Sequence, residues 1–337
     1  MFHCFRPSAP GSNLARRQFV LALAIGAAVA ASGGAWAQAG WPNKAVRIIV
    51  PFAPGGGADS SARVLADILA PELGQSVIVE NKPGAGSAIG VTFAAQSKDG
   101  HTLLMGSNSM VINPSLNADI AYNVARDFDA IGMVSSQPLV LVVPATSAIH
   151  SLNDLIAQAK AHPGELTAGN SGNGTLAHLT VELFSIQTQT AFTPVPYKGE
   201  SGLMPDLISG RVSMGFLNLP SVITHIRSGR LRALAVSAPE SVPELPDVST
   251  FRSLGFPDLE VQGWAALLAP KGIPAQGRAR LEKLLTQALS SEQVKKSFGG
   301  LSVRPFIKSS AATDEYLKAE GARWAEVIRS RGIQVSK

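Results

Sequence analysis

The chain has 337 residues, 45% of them hydrophobic, with 29 basic and 24 acidic side chains. That length and apolar content can bury a large core in about two domains, which excludes a disordered chain. The single cysteine, Cys4, excludes a disulfide framework and a cysteine-built metal site.

The N-terminus reads as an export leader. Arg16 and Arg17 precede an apolar run from Phe19 to Ala31, with no acidic residue before it. A membrane span needs roughly 20 apolar residues, so this run is too short. Ala35-Trp36-Ala37 then offers a small-x-small cleavage pattern, and residues 1–37 read as a signal peptide cleaved after Ala37. Arg16-Arg17-Gln18-Phe19-Val20 leaves the twin-arginine and Sec routes both open. Cleavage removes Cys4, Arg6, Arg16 and Arg17, leaving 26 of the 29 basic residues against 24 acidic ones, a net +2. No basic stripe remains for nucleic acid, and no later run is long enough to cross a membrane. A soluble protein of the periplasm is expected.

Along the mature chain, Val46 to Val50 reads as a buried strand and Ala62 to Leu73 as a helix with apolar residues at helical spacing. Val77 to Val79 is the next strand, Ser87 to Gln96 the next helix, and Thr102 to Met105 a third strand. That βαβαβ order implies a parallel sheet with crossover helices. A second such region runs from about Val140 to Ala235, with strands near Leu166–Gly169, Thr193–Pro196 and Val212–Phe216. Leu231 to Val236 reads as a strand returning toward the first sheet, and helices Gln276–Ser290 and Thr313–Arg329 follow. Two sheets joined by several crossings are expected, with no linker between them.

Three glycine-rich turns follow predicted strands: Pro51-Phe52-Ala53-Pro54-Gly55-Gly56-Gly57, Asn81-Lys82-Pro83-Gly84-Ala85-Gly86-Ser87 and Gly169-Asn170-Ser171-Gly172-Asn173-Gly174-Thr175. In a parallel sheet such turns gather at the carboxyl edge, where α/β folds bind ligands. Their backbone N–H groups lie at helix N-termini, where partial positive charge favours an anion. Asp59 or Ser60 can cap the first of these helices.

The enzymatic motifs fail on the same residues. There is no phosphate-binding G-x-x-x-x-G-K-[ST] loop, and Gly84-Ala85-Gly86 with Gly90 is one residue off the dinucleotide spacing. Gly169-Asn170-Ser171-Gly172-Asn173 misses the G-x-S-x-G elbow at its last position. His101, His150, His162, His178 and His225 show no zinc-binding pairing. His178 can donate to a ligand or pack in the core. No catalytic residue, metal or cofactor is expected.

Ile49-Val50-Pro51-Phe52-Ala53-Pro54-Gly55-Gly56 with Asp59 and Arg63, Glu80 to Gly86, Asp99 to Leu104 and Val195 to Gly199 run in order along the chain. Leu231 to Val236, Leu245 to Val248, Gly263-Trp264 and Leu267 to Pro270 continue the series. This series resembles the tripartite tricarboxylate transporter substrate-binding proteins, the Bug-type receptors. The resemblance implies a two-lobed periplasmic binding protein fold, type II-like, with parallel-rich sheets, flanking helices and a ligand cleft between the lobes. The implied division is residues 38–139 and 236–337 for one lobe and 140–235 for the other. It also implies a ligand carrying carboxylates, and a monomer that engages integral membrane transporter subunits transiently. By the same resemblance the ligand meets Phe52, Pro54, Gly56, Gly57, Ala58 and Asp59 of the first turn and Ala85, Gly86 and Ser87 of the second. Ser107 and Asn108 follow the third strand. Ser171, Gly174, Thr175 and His178 face them across the cleft, with Tyr197 and Asn218. A ligand-presenting sensor subunit and an exported carboxylate-processing enzyme are the alternative readings.

Lys198 can supply an ion pair or stay solvated, Tyr197 can line the cleft or pack beneath its turn, and Trp264 is expected to pack near the crossing of the lobes. Three positions depart from the family pattern: Leu217 stands where many relatives have aspartate, His101 replaces a common tyrosine and Asn170 a common serine. A cleft-facing Leu217 would favour an acid with an apolar body over an α-amino acid, because an unpaired ammonium against it would be costly to bury; the other reading points Leu217 into the core of the second lobe.

Overall fold

A computed structural model describes residues 1–3 and 40–333. The expected leader therefore lies outside the described residues, apart from 1–3. The chain forms two compact units, Met1–Asn43 and Lys44–Lys337, and every strand and helix described here belongs to the second.

Strand β1 (Val46–Val50) is buried at all but one position, as a central strand covered on both faces must be. Helix α1 (Gly57–Leu73) begins five residues earlier than its apolar spacing suggested, because extended backbone at Gly56 starts it directly from the turn. Its buried Ala62, Leu65, Ala66, Leu69 and Leu73 recur at helical spacing. After β2 (Val77–Asn81), a single 3-10 turn (Ala85–Ser87) leads into α2 (Ala88–Gln96), and β3 (Thr102–Ser107) completes the unit. β1 lies between β2 and β3 and pairs parallel with both, as the βαβαβ order predicts.

Helices α3 (Asn108–Leu116) and α4 (Val124–Asp127) then precede β4 (Phe128–Pro144), whose 17 residues organise the whole sheet. In the second half follow α5 (Leu152–Ala161), β5 (Thr167–Asn170), α6 (Leu176–Thr188) and β6 (Thr193–Pro196). Next come α7 (Glu200–Ile208), β7 (Met214–Asn218), α8 (Leu219–Arg227) and β8 (Leu231–Val236). Strand β9 (Gln262–Pro270), helices α9 (Ala275–Ser290) and α10 (Glu292–Gly300), the short β10 (Arg304–Pro305) and α11 (Ser310–Arg331) finish the chain.

The first part of β4 pairs antiparallel with β9 and β10, and the part from Leu139 onward pairs with β7 and β8. The strands consequently form one ten-stranded path, ordered β2-β1-β3-β9-β4-β7-β5-β6 with β8 and β10 also on β4, where two sheets were expected. Pro138 sits at the hand-over between the two sets of partners, where a missing N–H disturbs the ladder least. β8 does return to a shared strand, but to the Val140–Pro144 end of β4. Beyond β4 the sheet is parallel again, β5 lying between β6 and β7.

Both faces of this second half are apolar. Phe184, Phe216 and Phe251 meet on one face with ring centroids 5.6–6.2 Å apart. On the other, Leu217 is fully buried among Val140, Val142, Leu203 and Val222. Successive strand residues point to opposite faces, so Phe216 and Leu217 serve two different cores. Of the two placements the sequence left open for Leu217, the cleft and the core of the second half, the structure shows the core.

Candidate functional site

The parallel strands deliver their following turns to one edge of the sheet, and the first turn is held there by a single carboxylate. Asp59 is 3% exposed and accepts hydrogen bonds from the Gly55 N–H at 3.0 Å and the Asn81 amide at 2.9 Å. Arg63 donates to both of its oxygens, each at 3.0 Å. Asn81 donates as well to the Phe52 carbonyl at 3.0 Å, so the same network ties the end of β2 to the turn after β1. Burial pushes the Asp59 carboxyl up, but the bonds from Arg63, Gly55 and Asn81 outweigh it and hold the pKa below the ordinary value. Asp59 is thus a brace for the turn. The helix cap expected of Asp59 or Ser60 is instead Gly56, which offers no side chain.

The second and third turns meet each other. Asn113 of α3 donates to the Gly86 carbonyl at 2.8 Å. Gly86 has φ +58°, and a Cβ built on it would stand 1.9 Å from the Asn173 carbonyl oxygen. The third turn is internally bonded: Asn170 accepts from the Gly172 N–H at 2.9 Å, and the Thr175 hydroxyl donates to the Gly172 carbonyl at 2.7 Å. His178 lies beneath it, accepting at Nδ1 from the Gly174 N–H at 3.4 Å, with Nε2 3.7 Å from Glu182. Burial holds the His178 pKa below its ordinary value and so favours the neutral ring.

Two cavities lie along this edge, and Phe52 and Ser171 border both. The first, about 70 Å³, takes Gly56, Gly57, Ala58 and Asp59 from the start of α1, Ser107 and Asn108 from the junction of β3 and α3, and Thr175 and Asn218 from the second half. The other, about 260 Å³, takes Ala85, Gly86, Ser87 and Tyr197. Pro54, Gly174 and His178 line neither. Tyr197 donates its hydroxyl to Asp206 at 2.7 Å, and Lys198 at the rim is exposed.

The smaller cavity has an unusual wall. The first residues of α1, α3, α6 and α7 open onto it, and α8 reaches it through its cap, Asn218. Four of their N-caps (Gly56, Ser107, Gly199 and Asn218) make no side-chain cap bond; only Thr175 does. Amides at such ends carry partial positive charge toward the cavity. No lysine or arginine lines it.

Among the residues of its wall that sequence reasoning did not assign to the site are Gln137 in the middle of β4, Glu200 at the start of α7, and Gly263 and Trp264 of β9. Asn108 joins β9 to α3, accepting from the Trp264 N–H at 3.0 Å and donating to the Gln262 carbonyl at 3.1 Å. The Trp264 ring is core as expected, 2% exposed and edge-on to Tyr316. A polar residue inside the long buried run of β4 was the one available signal for Gln137. Glu200, after Gly199, looks like an ordinary acid at a helix start.

A sheet parallel at both ends, a long central strand that changes partners midway and helix N-termini gathered at its edge define a periplasmic binding protein fold. The periplasmic binding protein BugD has a solved structure that superposes with a TM-score of 0.83 at 29% identity, covering 87% of this chain and 99% of that one. A protein from R. palustris solved with adipate gives 0.83 at 31% identity, over 87% and 99% of the two chains. BugT of Bordetella pertussis is 39% identical over 298 residues, 88% of this chain and 91% of its own length. The family model for the tripartite tricarboxylate transporter family receptor matches residues 61–333, and the chain belongs to that family of receptors.

Proposed function

We propose that this protein is exported to the periplasm, captures a small organic carboxylate in the cavity between the α1 and α6 N-termini, and presents it to the membrane subunits of a tripartite tricarboxylate-type transporter. The observation that carries the reading is the convergence of five helix N-termini on a cavity without a basic side chain. A carboxylate there takes charge-assisted bonds from backbone amides, each contributing roughly 1.5–3 kcal/mol. Three or four of them reach the ~8 kcal/mol of a micromolar complex before ordering is subtracted. The adipate held by one solved relative is an acid of this kind.

In this reading the amides of Gly56 to Asp59 and of Ser107 and Asn108 hold the carboxylate, and Ser171 and Thr175 close on it from the other side. The turn at Ala85 to Ser87, with Tyr197, forms the rim. Residues 38–139 and 236–337 act as one lobe and 140–235 as the other, hinged where β4 and β9 cross. The receptor is a monomer without catalytic activity or cofactor, and its contact with the transporter is transient. A thermal-shift screen of carboxylic acids tests it: at least one acid should raise the melting temperature at micromolar concentration and be recovered unchanged. Turnover of the acid would overturn the receptor reading.

Two further results are expected. The mature protein begins at Gln38, which the mass of periplasmic material reports directly; an uncleaved cytoplasmic chain would contradict it. Lys198→Ala leaves affinity within about threefold of wild type, since an exposed ion pair contributes ~0–1 kcal/mol. Calorimetry showing loss of binding would move the anion site to the rim.

A further inference from the structure

The cavity wall holds two carboxylates, and they are not alike. Asp59 is paired with Arg63. Glu200 is 8% exposed, and the groups bonded to it are donors at the start of α8. The Asn218 N–H and the Asn218 side-chain amide each donate to it at 2.8 Å, and the Ser221 hydroxyl donates to its other oxygen. Burial pushes the Glu200 carboxyl up and the bonds from Asn218 and Ser221 oppose it, so the donors at the N-terminus of α8, where Pro220 removes one more, are already taken by this carboxyl. A ligand carboxylate placed there would meet a like charge in a poorly solvated corner. The free amides that remain for it are those of α1, α3 and α6.

The same bonds decide what Glu200's corner can hold. With its NH2 group committed to Glu200, Asn218 turns its Oδ1 away, and that oxygen is buried with no partner in the protein. Gln137, 5% exposed, has its Oε1 buried in the same condition. Gly263 lies between the two amides, and a Cβ on it would stand 2.4 Å from Asn218 Oδ1 and 3.3 Å from Gln137 Nε2. Only a residue without a side chain leaves this corner open. Gln137, Asn218 and Glu200 all line the cavity, and the two amide oxygens have no partner in the protein.

Resting on the carboxylate-receptor reading, we infer that the corner formed by Glu200, Asn218 and Gln137 is a subsite for a cationic nitrogen, so that the ligand is an aminocarboxylate. Its carboxylate lies toward α1, α3 and α6, and its ammonium lies toward Glu200. This reverses the preference drawn from Leu217, because the acid that recognises the nitrogen comes from α7 and not from β7.

Calorimetry with the purified mature protein tests this on acid pairs that differ in one nitrogen: aspartate and succinate, glutamate and glutarate, 4-aminobutyrate and butyrate. In each pair that binds, the amino acid is expected to bind tighter by about tenfold or more, the worth of one charge-assisted bond. Glu200→Gln should bring that ratio close to one, and Glu200→Asp should keep most of it. Equal or tighter binding of the nitrogen-free acids by wild type overturns the inference and leaves the carboxylate receptor standing. So does an unchanged ratio in Glu200→Gln. If Glu200→Gln does not melt cooperatively, the wild-type ratio and Glu200→Asp decide. Binding of none of the six removes the carboxylate reading itself.

Discussion

Gly86→Val is expected to lower ligand affinity by about 100-fold or more, roughly 3 kcal/mol, while the ligand-free protein keeps its fold. A Cβ at this position would lie 1.9 Å from the Asn173 carbonyl oxygen, a backbone atom that no rotamer change can move aside. The positive φ adds strain of about 1 kcal/mol for a residue with a side chain. Asn173 belongs to the turn after β5 and Gly86 to the turn after β2, so separating the two turns relieves the clash. In the proposed reading the turns part in the ligand-free protein and meet on capture, so the clash falls on the ligand-bound form. Calorimetry gives the affinity, and small-angle scattering with saturating ligand should show wild type contracting and the variant remaining open. Wild-type affinity in Gly86→Val would mean that closure does not bring these turns together.

Asp59→Asn is expected to destabilise the protein by about 3 kcal/mol at neutral pH, because it removes the charge from a buried hub with three donor residues. That corresponds to a fall of roughly 5–10 °C in melting temperature. The pH dependence has a definite sign. The folded-state pKa of Asp59 is depressed, so its stabilisation is complete above the ordinary value of 3.8 and is lost as pH falls through the folded value. Asp99 acts in the same direction: it accepts from the N–H groups of His101 and Thr102, each at 2.9 Å, and from Arg47 at 3.0 Å. Thermal melts between neutral pH and pH 3 should show wild type losing stability below about pH 4. Asp59→Asn should lose less over that range, with a residual slope from Asp99. A variant as stable as wild type at pH 7 would reduce Asp59 to a surface ion pair.

Much of this molecule is legible locally. β1, β6 and β8 fall where the sequence places them, and α1 is misplaced only at its start, where a glycine carries no apolar signal. The glycine-rich turns are visible because close backbone approach and positive φ leave few residues to choose from. The tertiary structure alone decided three things. It made β4 one continuous strand through Ser135-Ser136-Gln137-Pro138, a stretch to which the sequence reading assigned no element, because that strand changes partners there. It decided which way Leu217 points: period-two alternation separates the two faces of a strand, but where both faces are covered by apolar layers it cannot say which residue meets the ligand. And it turned Glu200 from an ordinary helix-start acid into a buried wall of the cavity, through bonds to Asn218 and Ser221 about 20 residues along the chain. Contacts at that separation are set by how the sheet is ordered, and no local pattern encodes them.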